Sequence, residues 1–102
     1  MTLRQKQSVF VRMIADLILW AYNNGYQLTF GDAYVSTRMG HMRASLHYDR
    51  LAVDFNVFKD GEWLQAGEEF IDIGEFWESV GGSWGGRFED GGHFSLAYGG
   101  RK

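Results

Sequence analysis

The residue types and spacing best suited to chemistry in this chain are an imidazole and a carboxylate seven positions apart, His47 and Asp54. Asp54 stands within residues 51–57, a run in which every second residue is apolar. This alternation predicts a strand with one buried face, and it places Asp54 with Ala52 on the other face. A mid-strand carboxylate is costly to bury unpaired, so Asp54 requires a partner. A metal ion shared with His47 would provide one, and small Ala52 leaves room for it.

A second imidazole and carboxylate, His93 and Asp90, lie three positions apart and are separated by two glycines. Two histidines and one aspartate with an open fourth position are typical of catalytic rather than structural zinc. The chain has no cysteine, so a metal must be held by histidine and carboxylate. We expect Zn²⁺ at His47, Asp54 and His93, where the pKa of a bound water falls towards about 7. Asp90 would then serve as the general base.

Each assignment has a structural alternative. A histidine is more often a surface or hydrogen-bonded residue than a metal ligand, and Asp54 could be a strand-end cap or a salt-bridge partner. Asp90 could be a turn residue, because Asp-Gly-Gly favours turns without any catalytic role. Glu89 is the alternative base. His41, in the loop before the first motif, is expected to face solvent.

The first motif resembles the M15 family of zinc peptidases, which includes D-alanyl-D-alanine carboxypeptidases and phage L-alanyl-D-glutamate endolysins. The family pattern is S-x-H-x-x-G-x-A-x-D, followed later by E or D, two residues, and H. Ser45, His47, Ala52 and Asp54 match its first half. Arg50 stands where glycine is usual, so we expect no positive φ there.

The second half of the family pattern is matched by Asp90 and His93, and the resemblance covers roughly residues 34–98. The runs around Trp77 and Trp84 look most like short phage-encoded members. Carboxypeptidase members mostly use Glu as the base, whereas the phage endolysins resemble this chain in using Asp. The two tryptophans could line the cleft, although packing in the core is the preferred interpretation.

The resemblance implies a zinc-dependent endolysin that cuts the L-Ala–D-Glu bond of peptidoglycan stem peptides by metal-activated water. The alternatives are a D-Ala–D-Ala carboxypeptidase and a catalytically silent, zinc-stabilised module that binds the wall or builds a phage particle. A phage lysin would reside in the host cytoplasm before its release to the wall. We expect a monomer whose partner is the stem peptide.

Three residues are candidates for substrate binding. Family members usually carry arginine at the end of the strand before the metal motif, where this chain has Tyr34-Val35. Arg38 could grip a substrate carboxylate from the following loop, or it could be a solvated loop residue. Ser45 could orient a metal ligand or cap the turn. Tyr48 is a candidate aromatic of the cleft.

Length and composition favour one small domain over residues 1–102, with 45% hydrophobic residues available for a core. A net charge of −3 argues against general nucleic-acid binding. The N-terminal apolar run is interrupted by Arg12 and Asp16 and lacks a cleavage site, so we expect neither a signal peptide nor membrane insertion.

The elements that would position these residues form an α+β fold, with helices on one side of a small antiparallel sheet and the zinc site on its other face or edge (M15/hedgehog-like). An amphipathic helix is predicted over 3–23, with a buried stripe of Val9, Phe10, Met13, Ile14, Leu17 and Ala21. The other predictions are a strand over 26–35 with a bulge at Gly31, a loop over 36–44, a hairpin of strands 51–58 and 62–65, a helix over 74–80, and short strands over 83–98.

Overall fold

The computed structural model describes residues 1–31, 49–65, 67–88 and 91–97. Within these ranges, two α-helices pack on a five-stranded antiparallel sheet, so the predicted α+β architecture is confirmed. The elements are α1 (Leu3–Asn23), β1 (Tyr26–Phe30), β2 (Ala52–Lys59), β3 (Glu62–Trp63), α2 (Ile71–Ser79), β4 (Ser83–Trp84) and β5 (His93–Ser95). The strand order is β1-β2-β5-β4, and β3 also pairs with β2.

Helix α1 has the predicted bounds because local signals fix both of its ends. Thr2 and Gln5 form a capping box, in which each side chain accepts a hydrogen bond from the other residue's backbone N–H. Gly25, at φ 86°, provides the left-handed stop. The buried stripe consists of Phe10, Met13, Leu17 and Ala21. Val9 is 40% exposed, so its predicted burial is wrong; it lies on the flank of the stripe. No helix in the described ranges is long and apolar enough to cross a membrane.

Strand β1 pairs with β2 residue for residue, from Tyr26 opposite Lys59 to Phe30 opposite Phe55. The strand ends at Phe30, and residues 32–35 of the predicted strand lie outside the described part of the chain. The Gly31 N–H donates to the Asp54 carbonyl at 2.7 Å, which continues the same pairing. A bulge at Gly31 would involve residue 32, which lies outside the described residues, so the predicted bulge stays a prediction.

The β2–β3 hairpin forms at the predicted Asp-Gly turn. Asp60 and Gly61 have φ values of 54° and 80°, as a type I′ turn requires. The returning strand is shorter than predicted, since β3 ends at Trp63. Leu64 nevertheless extends the pairing, because its N–H donates to the Val57 carbonyl at 2.8 Å.

Helix α2 begins at Ile71, three residues before the predicted start at Gly74, and a 3-10 turn over Gly67–Phe70 leads into it. Glycine is a poor helix former, which is why Gly74 resembled a boundary. In the fold Gly74 is buried, and a Cβ there would collide with the Trp84 ring. Packing against the indole therefore outweighs propensity at this position.

The core joins both helices to one face of the sheet. Trp77 of α2 makes edge-to-face contacts with Phe10 of α1 and with Phe94 of β5. Its indole Nε1–H lies within hydrogen-bond distance of the Ser95 and Ser83 carbonyls, at 3.0 and 3.1 Å. Trp84 is also buried, at 3% exposure. The core assignment of the two tryptophans is thus confirmed over the cleft alternative.

The backbone at Arg50 contradicts the expectation from its side chain. Arg50 has a φ of 59°, in the left-handed region that favours glycine. Arg50 therefore has a backbone conformation that glycine, the residue usual at this place in the motif, would adopt more readily.

Candidate active site

The site is built on the pairing of β2 with β5. The register places Ala52 opposite Ser95, Val53 opposite Phe94, and Asp54 opposite His93. Directly opposed residues of an antiparallel pair share one face of the sheet. Asp54 and His93, which are 39 positions apart in the sequence, are thus brought side by side by the strand register.

The two side chains meet directly, with 2.9 Å between Nδ1 of His93 and Oδ1 of Asp54. Both are half-buried, with 18% of the His93 side chain and 26% of the Asp54 side chain exposed. Their neighbours Val53 and Phe94 point the other way and are buried in the core. The pair therefore lies on the sheet face opposite the helices, and the metal site expected on that face stays a prediction.

The turn that delivers His93 depends on two close approaches of the backbone. A Cβ on Gly92 would collide with the Phe55 carbonyl oxygen, and the Gly92 carbonyl accepts a hydrogen bond from the Phe55 N–H at 2.9 Å. The Gly91 carbonyl accepts one from the Trp84 indole at 2.8 Å. These contacts fix the turn against β2 and the core, and they thereby fix the backbone position of His93.

Asp54 is supported from its other side by Gly31. A Cβ on Gly31 would lie 3.1 Å from the Asp54 carbonyl oxygen and 3.3 Å from its Cβ, tighter than ordinary contact. Glycine thus allows the end of β1 to approach Asp54 and leaves space beside the carboxylate.

A cleft of about 450 Å³ opens beside the carboxylate. Its described lining consists of Gly31, Asp54, Phe55, Asn56, Trp63, Leu64, Gln65, Phe70, Gly91 and Gly92. Asp54 is the one charged residue in this described lining. The carboxylate of the pair therefore borders a space that can hold a ligand, rather than a closed core.

The donor set and its geometry fit a zinc ion. In a tetrahedral site, a carboxylate oxygen and an imidazole nitrogen each lie about 2.1 Å from the metal, which separates the two donors by roughly 3.4 Å. The observed 2.9 Å is shorter, so the two side chains would have to move slightly apart to admit the ion. Within the described residues no group of three potential ligands occurs, since His47, the predicted third ligand, lies outside them.

The other predicted site residues also lie outside the described part of the chain: Asp90 as the base, and Arg38, Ser45 and Tyr48 as substrate-binding residues. Their roles stay predictions. Conversely, the sequence motifs did not include Asn56 or Trp63, which line the cleft. Alternation along β2 does place Asn56 on the same face as Asp54, and this pattern could have identified Asn56 as a cleft residue from the sequence.

Comparison with known protein families decides which chemistry this geometry belongs to. A family model described as D-alanyl-D-alanine carboxypeptidase, of the M15 peptidases, matches residues 39–96, more than half of the chain. The chain belongs to the M15 peptidase family. The family predicted from the motifs is thus confirmed, and members of this family are generally zinc-dependent. A search of curated proteins found no match.

Proposed function

We propose that this protein is a zinc-dependent peptidoglycan peptidase that hydrolyses the L-Ala–D-Glu bond of stem peptides. The observation that carries the proposal is the 2.9 Å contact between Asp54 and His93, with Asp54 bordering a cleft, in a chain of the M15 peptidase family. A surface histidine or a simple salt bridge would not require the cleft or the close glycine contacts beside it.

His47, Asp54 and His93 would hold the metal. Zinc, when bound, supplies Lewis acidity that lowers the pKa of water and polarises the scissile carbonyl. Asp90 accepts the proton from the attacking water and returns it to the leaving amine, and Glu89 is the alternative base. Ser45 orients a ligand, while Tyr48 and Arg38 bind substrate.

The choice of bond rests on the cleft and on the base. A carboxypeptidase needs a cation for the terminal carboxylate, and the described lining contains neither Lys nor Arg. An endopeptidase needs a cleft that continues past the scissile bond, and this one extends from Asp54 to Trp63. The description of the matched family favours a D-Ala–D-Ala carboxypeptidase, and Arg38 could supply the missing cation. That activity is the second candidate.

We extend the proposal to the biological setting that the sequence suggested. The protein would act as a monomeric phage lysin, present in the host cytoplasm until it is released to the cell wall. Its partner there would be the peptidoglycan stem peptide.

Mass spectrometry of digested wall fragments identifies the bond. The expected products are D-Glu-initiated peptides and glycan chains that retain L-Ala. Release of free D-Ala with the L-Ala–D-Glu bond intact would replace the endopeptidase by the carboxypeptidase and give Arg38 the carboxylate-binding role.

The variant Asp90→Asn separates an enzyme from a silent module. A binding module needs the metal ligands to fold but has no use for a base. We expect the variant to keep its zinc and its melting temperature while hydrolysis falls by roughly 10²-fold or more. Unchanged hydrolysis would transfer the role to Glu89, and absence of hydrolysis in the parent protein would favour the wall-binding module.

A further inference from the structure

The face of β2 that carries Asp54 extends from the cleft towards the β2–β3 hairpin. Asp54, Asn56 and Phe58 share this face because side chains alternate along a strand. Trp63 of β3 pairs with Phe58 and thus lies on the same face. At about 3.3 Å per residue, the four positions from Asp54 to Phe58 cover about 13 Å. The cleft therefore runs from the carboxylate to an indole at its far end.

The side chains at the far end are aromatic and amide in character. Trp63 is 55% exposed, whereas Trp77 and Trp84 are buried in the core. Asn56 and Gln65 contribute carboxamides, and the Asn56 Nδ2 donates to Thr29 Oγ1 at 3.2 Å, which orients that amide. The described lining has no cation to attract an anion. Its chemistry suits a neutral ligand with hydroxyl and amide groups and one flat apolar face.

We propose that Trp63, Asn56 and Gln65 form a sugar subsite that binds the N-acetylmuramoyl ring attached to the L-Ala end of the stem peptide. The C–H-rich face of a pyranose buries apolar surface against an indole. Carboxamides both donate to and accept from hydroxyl and acetamido groups. This inference rests on the proposed function, because it assumes that the bond cut lies next to the sugar.

The dimensions of the substrate agree with this placement. L-Ala and the lactyl group that joins it to the sugar each extend by about 3.5 Å, and the ring centre lies about 3 Å beyond the lactyl oxygen, so it would be about 10 Å from the scissile bond. That distance falls between Asp54 and Trp63, within the about 13 Å of the cleft. A terminal D-Ala–D-Ala bond lies several residues further from the sugar. With that bond at the site of cleavage, the sugar would lie beyond this subsite.

Binding without catalysis tests the subsite directly. Titration calorimetry on the zinc-loaded protein would use N-acetylmuramoyl-L-alanine, which has no L-Ala–D-Glu bond to hydrolyse, as the probe and N-acetyl-L-alanine as the sugar-free control probe. We expect Trp63→Ala to weaken binding of the first probe by roughly 10-fold or more, and Trp63→Tyr to restore most of it. Phe30→Ala, which truncates a 70% exposed aromatic on the other face of the sheet, should leave binding unchanged.

Kinetics then separate this subsite from the reaction itself. On a muramoyl-linked stem peptide, Trp63→Ala should raise KM by roughly 10-fold while kcat is unchanged, since uniform binding is lost. On the free stem peptide, the two proteins should behave alike. If the parent protein hydrolyses both substrates with equal KM values, the subsite is overturned while the proposed peptidase activity stands. Muramoyl binding that needs Trp63, without hydrolysis of any peptide, would keep the subsite and overturn the proposed peptidase.

Discussion

A carboxylate in the middle of a strand has few stable arrangements, and Asp54 adopts one in which its oxygen faces an imidazole. The 2.9 Å contact with His93 provides the partner that its half-buried position demands. The same two atoms are donors suited to zinc. At the scale of single residues, the contact that stabilises the fold therefore uses the same two side-chain atoms as the proposed metal site.

Substitution of His93 tests this assignment against a matched histidine. We expect His93→Ala to lose most of the near-equimolar zinc that the parent protein carries, since one of three ligands is removed. His41→Ala removes an imidazole outside the metal motif and should retain the metal. Elemental analysis of both variants, purified without added metal, is the measurement. Equal zinc contents in the two variants would remove His93 from the ligand set.

Arg50 offers a backbone prediction. Its φ of 59° costs about 1–2 kcal/mol for a residue with a Cβ. Both Arg50→Gly and Arg50→Ala remove the guanidinium, but only the glycine variant relieves the backbone. Denaturant unfolding should find Arg50→Gly more stable than Arg50→Ala by about 1 kcal/mol. An equal or lower stability of the glycine variant would show that the left-handed backbone is not strained in solution.

The secondary-structure elements were predictable where their signals are local. Helix α1 has a capping box, one apolar stripe and a glycine stop, and its bounds match. The Asp60-Gly61 turn fixed the hairpin for the same reason. The start of α2 was missed because Gly74 lies inside the helix, where its missing Cβ leaves room for the Trp84 ring, a contact between residues of different elements. Local propensity contains no information on such a contact.

The packing of Gly74 leads to a prediction opposite to helix propensity. Alanine is usually better than glycine inside a helix by about 1 kcal/mol, but here its Cβ would displace Trp84, at an overpacking cost of about 1–3 kcal/mol. The net loss is then up to about 2 kcal/mol, so Gly74→Ala should lower the melting temperature, by about 4–8 °C for each kcal/mol lost. Glu75→Ala, at the exposed neighbouring position, should change stability by less than about 0.5 kcal/mol. A stabilised Gly74→Ala would mean that the Trp84 ring can move at little cost.

At the scale of the whole molecule, the site combines parts that are distant in sequence. Periodicity placed Asp54 on one face of a strand, but the register that puts His93 opposite it is a long-range pairing. Only the family motif indicated that the two belong together. The predicted hairpin places Trp63 beside β2, but no motif marks this residue, and the cleft that it lines also depends on Phe70 and Gly91 from other parts of the chain.

Because the proposed metal joins β2 to β5, zinc should stabilise the entire fold. A ligand that binds only the folded state at 100 times its Kd adds about 2.7 kcal/mol to the free energy of unfolding. For a domain of this size, each kcal/mol raises the melting temperature by about 4–8 °C, so zinc should raise it by at least about 10 °C and a chelator should reverse the gain. Mg²⁺, which prefers oxygen ligands, is the metal control and should have little effect. His93→Ala should lose the response to zinc, since the bridge between the strands is then incomplete. An equal zinc response in this variant and in the parent protein would place the bound metal elsewhere and contradict the ligand set.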